Sequence, residues 1–252
     1  MIRFWVAGAA LIAILQGGGA MAADFTAQQR AEIVRIVREA LKNDPSILRE
    51  AVEALQSNDS ERQAAAARQT INANHDALYS QADPVGGGAK PDVTIVEFLD
   101  PRCPYCRHLA PAMASLLQHD PGIRVVYKDL PILGPPSVLA SRALLAADRQ
   151  GGYESLLAAI MTGSPDITED SLRAQAQRLG LDWPRLQRDM GDPVIDTRID
   201  GNRRLAKELG VEGTPAFVVG DRLVVGSDLT EVQGAIAGIR AERKQTGATT
   251  GK

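Results

Sequence analysis

Two cysteines three positions apart, in the run Cys103-Pro104-Tyr105-Cys106, are the only thiols in the chain. Ionised thiols are nucleophiles, and a pair at this spacing can attack a disulfide, hold it as a mixed disulfide and then close on each other. As a structural staple the same bond would do little, because it closes a tiny loop and removes little entropy from the unfolded chain. A structural zinc site needs four ligands, and besides this pair the chain offers only His75, His108 and His119. The pair therefore reads as a working dithiol, with no metal and no cofactor beyond the redox-active disulfide of Cys103 and Cys106.

The flanking sequence supplies the elements that would position it. Residues 93–99, Val-Thr-Ile-Val-Glu-Phe-Leu, form a β-branched run suited to a buried central strand, and residues 123–127 form a second. Residues 104–118 between them predict a helix, giving a β-α-β unit with parallel strands. Cys103 then sits at the helix N-cap with Pro104 at the first helical position, where unpaired N–H groups and the helix dipole favour thiolate over thiol. This makes Cys103 the nucleophile and Cys106, one turn in, the less accessible resolving thiol.

Glu97 interrupts the apolar strand six positions before Cys103. A buried carboxylate without a partner is costly, so this one should have a purpose. It reads as a carboxyl of raised pKa that relays the proton Cys106 must lose, with Lys128 on the neighbouring strand as its charge partner. The alternative is that Glu97 merely pairs with a neighbour at the sheet edge. Farther on, Gly213-Thr214-Pro215-Ala216 places a proline at the start of a strand, a setting compatible with a cis peptide.

Around this centre the chain divides by pattern. Residues 25–55 predict two short amphipathic helices, the first opened by a Thr26/Gln29 capping box and separated from the second by Asn43-Asp44-Pro45. Residues 59–80 are polar and alanine-rich, with Ile71 and Leu78 one heptad apart, and predict a solvated helix or a weak coiled-coil seam. Residues 81–92, with Gly86, Gly87 and Gly88, read as a linker, which sets an N-terminal helical region at 23–83 apart from a main domain at 84–252. Within the latter, residues 137–209 predict a helical insert, 216–225 a hairpin and Asp228 onward a final helix with Asp228 and Glu231 as its cap. Two short amphipathic helices cannot bury their stripes alone, so they must dock on the main domain or, the preferred reading, on other copies of themselves.

Residues 1–22 have the layout of a secretory signal: Arg3, an apolar run and then Ala20-Met21-Ala22 as a cleavage site. An exported chain meets an oxidising compartment, most simply the periplasm. The formal charge of −3 and pI near 5.7 lack the basic field that nucleic acid or anionic membrane partners require.

Val96-Glu97-Phe98-Leu99-Asp100 leading into Cys103-Pro104-Tyr105-Cys106, followed far downstream by Thr214-Pro215, resembles the DsbA family from about residue 93 to the last helix. The resemblance implies an α/β thioredoxin fold with an inserted helical domain, preceded here by an N-terminal helical region. It also implies Cys103 as nucleophile, Cys106 as resolving cysteine, Glu97 as a buried acid and Pro215 as a cis-proline packed against the dithiol. Thr214 would contact substrate through its backbone, and Pro104 and Tyr105 would tune the redox potential. The chain departs from the family's best-known oxidase, which has histidine in place of Tyr105 and valine in place of Thr214. Its N-terminal helices resemble those of the suppressor-of-copper-sensitivity ScsC-type members, in which such a region assembles trimers that act as disulfide isomerases. The expected function is thus a periplasmic thiol–disulfide oxidoreductase, first a disulfide isomerase, second a dithiol oxidase and third a copper-binding or chaperone-like protein. Its implied partners are cysteine-containing exported proteins and a membrane redox partner, a reductant for an isomerase and an oxidant for an oxidase.

Overall fold

A computed structural model describes residues 25–249. The expected signal sequence at 1–22 lies outside them. The chain forms two units that divide between Asn58 and Asp59.

In the first unit, α1 spans Ala27–Asn43 and leads into the start of α2, Ser46–Ala73. The capping box is present: Thr26 Oγ1 accepts the Gln29 N–H at 3.2 Å, and Gln29 Oε1 accepts the Thr26 N–H at 2.9 Å. At the break, Asp44 accepts the Ser46 N–H at 3.0 Å and starts the next helix. α1 buries no residue, and Ile33, Ile36, Val37 and Leu41 all lie exposed, as do Ile47, Leu48, Val52 and Leu55 on α2. The second helix is not short. It continues through the alanine-rich stretch for 28 residues, because alanine and its polar, straight-chain neighbours propagate a helix once it is nucleated.

The second unit contains the rest of α2, then α3 (His75–Leu78), β1 (Val85–Gly87), β2 (Val93–Leu99), α4 (Pro104–His119) and β3 (Ile123–Asp129). The helical insert follows as α5 (Pro135–Asp148), α6 (Tyr153–Thr162), α7 (Glu169–Arg178), α8 (Trp183–Met190) and α9 (Pro193–Glu208). β4 (Ala216–Val219) and β5 (Arg222–Val225) form the expected hairpin, and α10 spans Leu229–Thr249. At its start Asp228 accepts the Thr230 N–H at 2.9 Å. The sheet order is β1-β3-β2-β4-β5. β2 lies at its centre, parallel to β3 and antiparallel to β4.

Side-chain alternation splits β2 and β3 between two apolar layers. Ile95, Leu99, Val125 and Tyr127 face the layer built with α4, α5 and α6, whereas Val96, Phe98 and Val126 face Ile71, Leu78 and Leu205. Ile71 and Leu78, expected on a solvated helix or seam, are thus core residues with relative exposures of 2% and 0%.

The glycine-rich stretch is not a linker. β1 pairs antiparallel with β3, Val85 opposite Val126 and Gly87 opposite Arg124. A Cβ at Gly88 would lie 1.8 Å from the Pro121 carbonyl oxygen, and Gly87 has φ +84°. These glycines let an edge strand approach its neighbours at distances that no side chain would permit.

Candidate active site

β2 ends at Leu99, and a turn built on Asp100 delivers the chain to α4. The fully buried Asp100 carboxylate accepts N–H bonds from Arg102 at 2.8 Å, Ile132 at 2.8 Å and Leu133 at 3.0 Å, and its carbonyl accepts the Cys103 N–H at 3.0 Å. Cys103 is the N-cap of α4, with extended backbone and Pro104 directly after it. Both cysteines are free and buried, with relative exposures of 6% for Cys103 and 2% for Cys106. Pro104 and Tyr105 lie on the outside, Tyr105 at 65% exposure.

The loop before β4 meets this corner. The Thr214–Pro215 peptide is cis, and the Thr214 carbonyl oxygen lies 3.1 Å from Cys103 Sγ, across 111 positions of sequence. The Thr214 Oγ1 is buried at the same corner. Arg107, which sequence reasoning did not single out, ties α4 to α6 by donating to the Ile160 carbonyl at 2.6 Å and to the Gly163 carbonyl. Asp100 was equally unassigned, although an acid just after an apolar strand and before the dithiol was its signal.

The two thiols are driven apart electrostatically. The hydrogen bond from Cys106 pulls the Cys103 pKa down to about 5, with Thr214 and the backbone N–H groups of Cys106 and Tyr105 adding to it and burial opposing it. The Cys106 thiol is held well above its ordinary value, first by that same hydrogen bond, because the proton it donates stabilises the Cys103 thiolate, and then by burial. Cys103 is thus a thiolate at neutral pH and Cys106 a protonated thiol.

Glu97 lies beneath the pair. It lines a cavity of about 370 Å³ together with Cys106, Met113, Tyr127, Glu154 and Met161. Burial pushes its pKa up to about 8. Lys128 is not its charge partner: Glu97 sits opposite Tyr127 and Phe98 opposite Lys128, so the two side chains leave opposite faces of the sheet. Lys128 instead donates to the Ala77 carbonyl at 2.5 Å and pairs with the buried Asp83. The structure thus gathers Glu97, Cys103, Cys106, Thr214 and Pro215 at one corner and leaves Lys128 out.

Residues 94–236 match the family model of the DSBA-like thioredoxin domain, more than half of the chain. The chain belongs to the DsbA-like thioredoxin family. Residues 29–66 match the N-terminal domain of the copper resistance protein ScsC, so the N-terminal helices accompany the DsbA-like domain as they do in ScsC-type members. A thioredoxin-like oxidoreductase from Silicibacter pomeroyi superposes with TM-score 0.62 at 41% identity, covering 67% of this chain and 98% of that one. ScsC from Proteus mirabilis in a transitional conformation gives TM-score 0.63 at 28% identity, over 86% of this chain and all of the other. A periplasmic thioredoxin-like protein from Salmonella enterica serovar Typhimurium gives 0.60 at 31%, over 68% and 97%. Among curated proteins the chain is similar to an Na(+)/H(+) antiporter NhaA of Salinispora tropica, 32% identical over 142 residues. That match takes in 56% of this chain and 22% of the antiporter. No helix among the described residues is long and apolar enough to cross a membrane.

Proposed function

We propose that this protein is a periplasmic thiol–disulfide oxidoreductase that rearranges wrong disulfides in cysteine-containing exported proteins. The observation that carries the reading is the free dithiol at the start of α4, with Cys103 at the N-cap, Cys106 one turn in and the Thr214 carbonyl 3.1 Å from the Cys103 sulfur. Cys103 thiolate attacks a substrate disulfide, a mixed disulfide forms, and either a substrate thiol or Cys106 resolves it. Thr214 and Pro215 border the sulfur that carries the substrate, where an extended peptide can pair with backbone groups, and the exposed Tyr105 sits beside it. An isomerase needs Cys106 kept reduced by a membrane reductant. The signal-like residues 1–22 and the periplasmic relative support the location. The unburied apolar stripes of α1 and early α2, within the stretch that matches the ScsC N-terminal domain, support assembly into a homo-oligomer, a trimer in our reading.

One observation favours a second reading. A thiolate stabilised at Cys103 also stabilises the dithiol over the disulfide, which makes the disulfide oxidising and suits a dithiol oxidase recharged by a membrane oxidant. Two assays on the mature protein and its Cys103→Ala variant separate the two: oxidation of a reduced substrate and recovery of a scrambled one. Recovery that the variant loses supports the isomerase, and fast oxidation with poor recovery makes the protein an oxidase. Failure in both, with tight Cu(I) binding, would turn the dithiol into a soft copper site.

A further inference from the structure

A proton removed from Cys106 has to leave the protein, and Glu97 at 7% exposure is too enclosed to pass it to bulk water directly. The cavity that holds Glu97 and Cys106 extends between α4 and α6 to Glu154, Ser155 and Ala158, all three of which are exposed. Tyr127 Oη, on the strand position opposite Glu97, donates to Glu154 Oε1 at 3.4 Å, a long bond. Gly86 holds the third side of this outlet. A Cβ there would lie 2.0 Å from Glu154 Oε1 and 2.9 Å from Tyr127 Oη, so the missing side chain is what lets carboxylate and phenol meet.

The groups facing Glu97 are Cys106 from α4, Tyr127 from β3 with Asp129 two residues on, and Tyr153 and Glu154 from α6; β4 contributes Phe217 and β1 only Gly86. Two directions lead away from Glu97. Tyr127 stacks on Tyr153 with ring centroids 5.1 Å apart, and Tyr153 donates to Asp129 at 3.1 Å, but Asp129 is fully buried and that direction is closed. Glu154 is the end that reaches solvent.

We propose that Glu154, with Tyr127 and the gap left by Gly86, is the solvent-side end of a lateral proton route that carries the Cys106 proton from Glu97 to the surface between α4 and α6. This rests on the oxidoreductase reading and makes Glu154 a positioning residue that acts through Glu97. In the resolving step Glu97 first gives its own proton to the outlet; the Cys106 S–H bond then breaks and its proton passes to the Glu97 carboxylate so formed. The Cys106 sulfur bonds to Cys103, the Cys103–substrate bond breaks, and its electron pair leaves on the substrate thiolate. The dithiol is oxidised by two electrons and the substrate disulfide is reduced by the same two. The proton that Glu97 gave to the outlet reaches solvent, which protonates the departing thiolate.

The test uses the full chain with oxidised glutathione as probe, following by acid quench the formation of the glutathione mixed disulfide at Cys103 and its resolution by Cys106. Glu154→Gln is expected to leave formation unchanged and to slow resolution roughly tenfold in dilute buffer near neutral pH. Rising imidazole concentration, which supplies a diffusible proton carrier, should restore the rate. Gly86→Ala, which pushes the carboxylate aside while keeping it, should show the same buffer-restored loss. Unchanged resolution in both variants, or slowing that imidazole does not relieve, overturns the route. An unsubstituted protein that forms no mixed disulfide at all would instead defeat the oxidoreductase reading itself.

Discussion

Glu97→Gln should make the protein slower and more stable at once. In the folded chain Glu97 holds its proton up to about pH 8, against an ordinary value of 4.5. Between those two limits the folded state binds more protons than the unfolded one, so stability falls as pH rises. The contribution is complete below the ordinary value and is lost progressively as pH climbs through the folded value. Each tenfold change in proton affinity is worth about 1.4 kcal/mol, so the full loss is on the order of 5 kcal/mol, of which about 3 kcal/mol has accrued near neutral pH. Glutamine keeps the shape and has no charge to bury. Urea unfolding of the reduced wild-type and variant proteins from about pH 4 to pH 8.5 should show a stability difference near zero at the acid end. That difference should rise to about 3 kcal/mol in favour of the variant near neutrality. Asp129, whose carboxyl burial raises to about 7, tilts both proteins alike and drops out of the difference. The variant should meanwhile resolve mixed disulfides slowly, by about a hundredfold if Glu97 is the base. A difference that does not change with pH, or unaltered resolution kinetics, would refute the buried-acid account.

Alkylation of Cys103 by iodoacetamide should titrate with a midpoint near 5, and Cys106 should stay unreactive across the neutral range; equal reactivity of the two would contradict the asymmetry. Lys128→Ala leaves Asp83 buried without its cation and should cost about 3 to 5 kcal/mol in denaturant unfolding, while the pH profile of exchange stays where it was. Val37→Asp and Leu41→Asp, each placing a charge on the bare stripe of α1, should lower the mass measured by sedimentation to that of one chain without lowering single-turnover attack on glutathione disulfide.

Much of the site was legible because each residue carried its own physical contradiction. Cys103 and Cys106 are too close in sequence to staple anything, and Glu97 stands where an apolar side chain belongs, so sequence alone exposed both. The strands at 93–99 and 123 onward, the parallel crossover and the hairpin at 216–225 followed from β-branched runs and a two-residue turn. What stayed hidden depends on which face a residue takes or on what approaches it from far away. Lys128 looked like a partner for Glu97 by proximity along neighbouring strands, yet the register of β2 on β3 points them apart. Gly86, Gly87 and Gly88 spelled flexibility in one dimension but are packed edge strand in three. Ile71 and Leu78 are too sparse to announce a core face, and only the sheet beneath them reveals one. The turn made by Asp100 with Ile132 and Leu133 joins segments more than thirty positions apart, beyond any local pattern.

The central claim is that Cys103 is the nucleophile and Cys106 the thiol that resolves it. The direct measurement incubates the reduced Cys106→Ser and Cys103→Ser variants with a disulfide-bonded peptide near neutral pH, quenches with acid and maps the adduct by mass spectrometry. The account predicts a persistent peptide adduct on Cys103 in the first variant and almost none in the second. Adduct formation at Cys106 as fast as at Cys103, or no adduct in either variant, would contradict it.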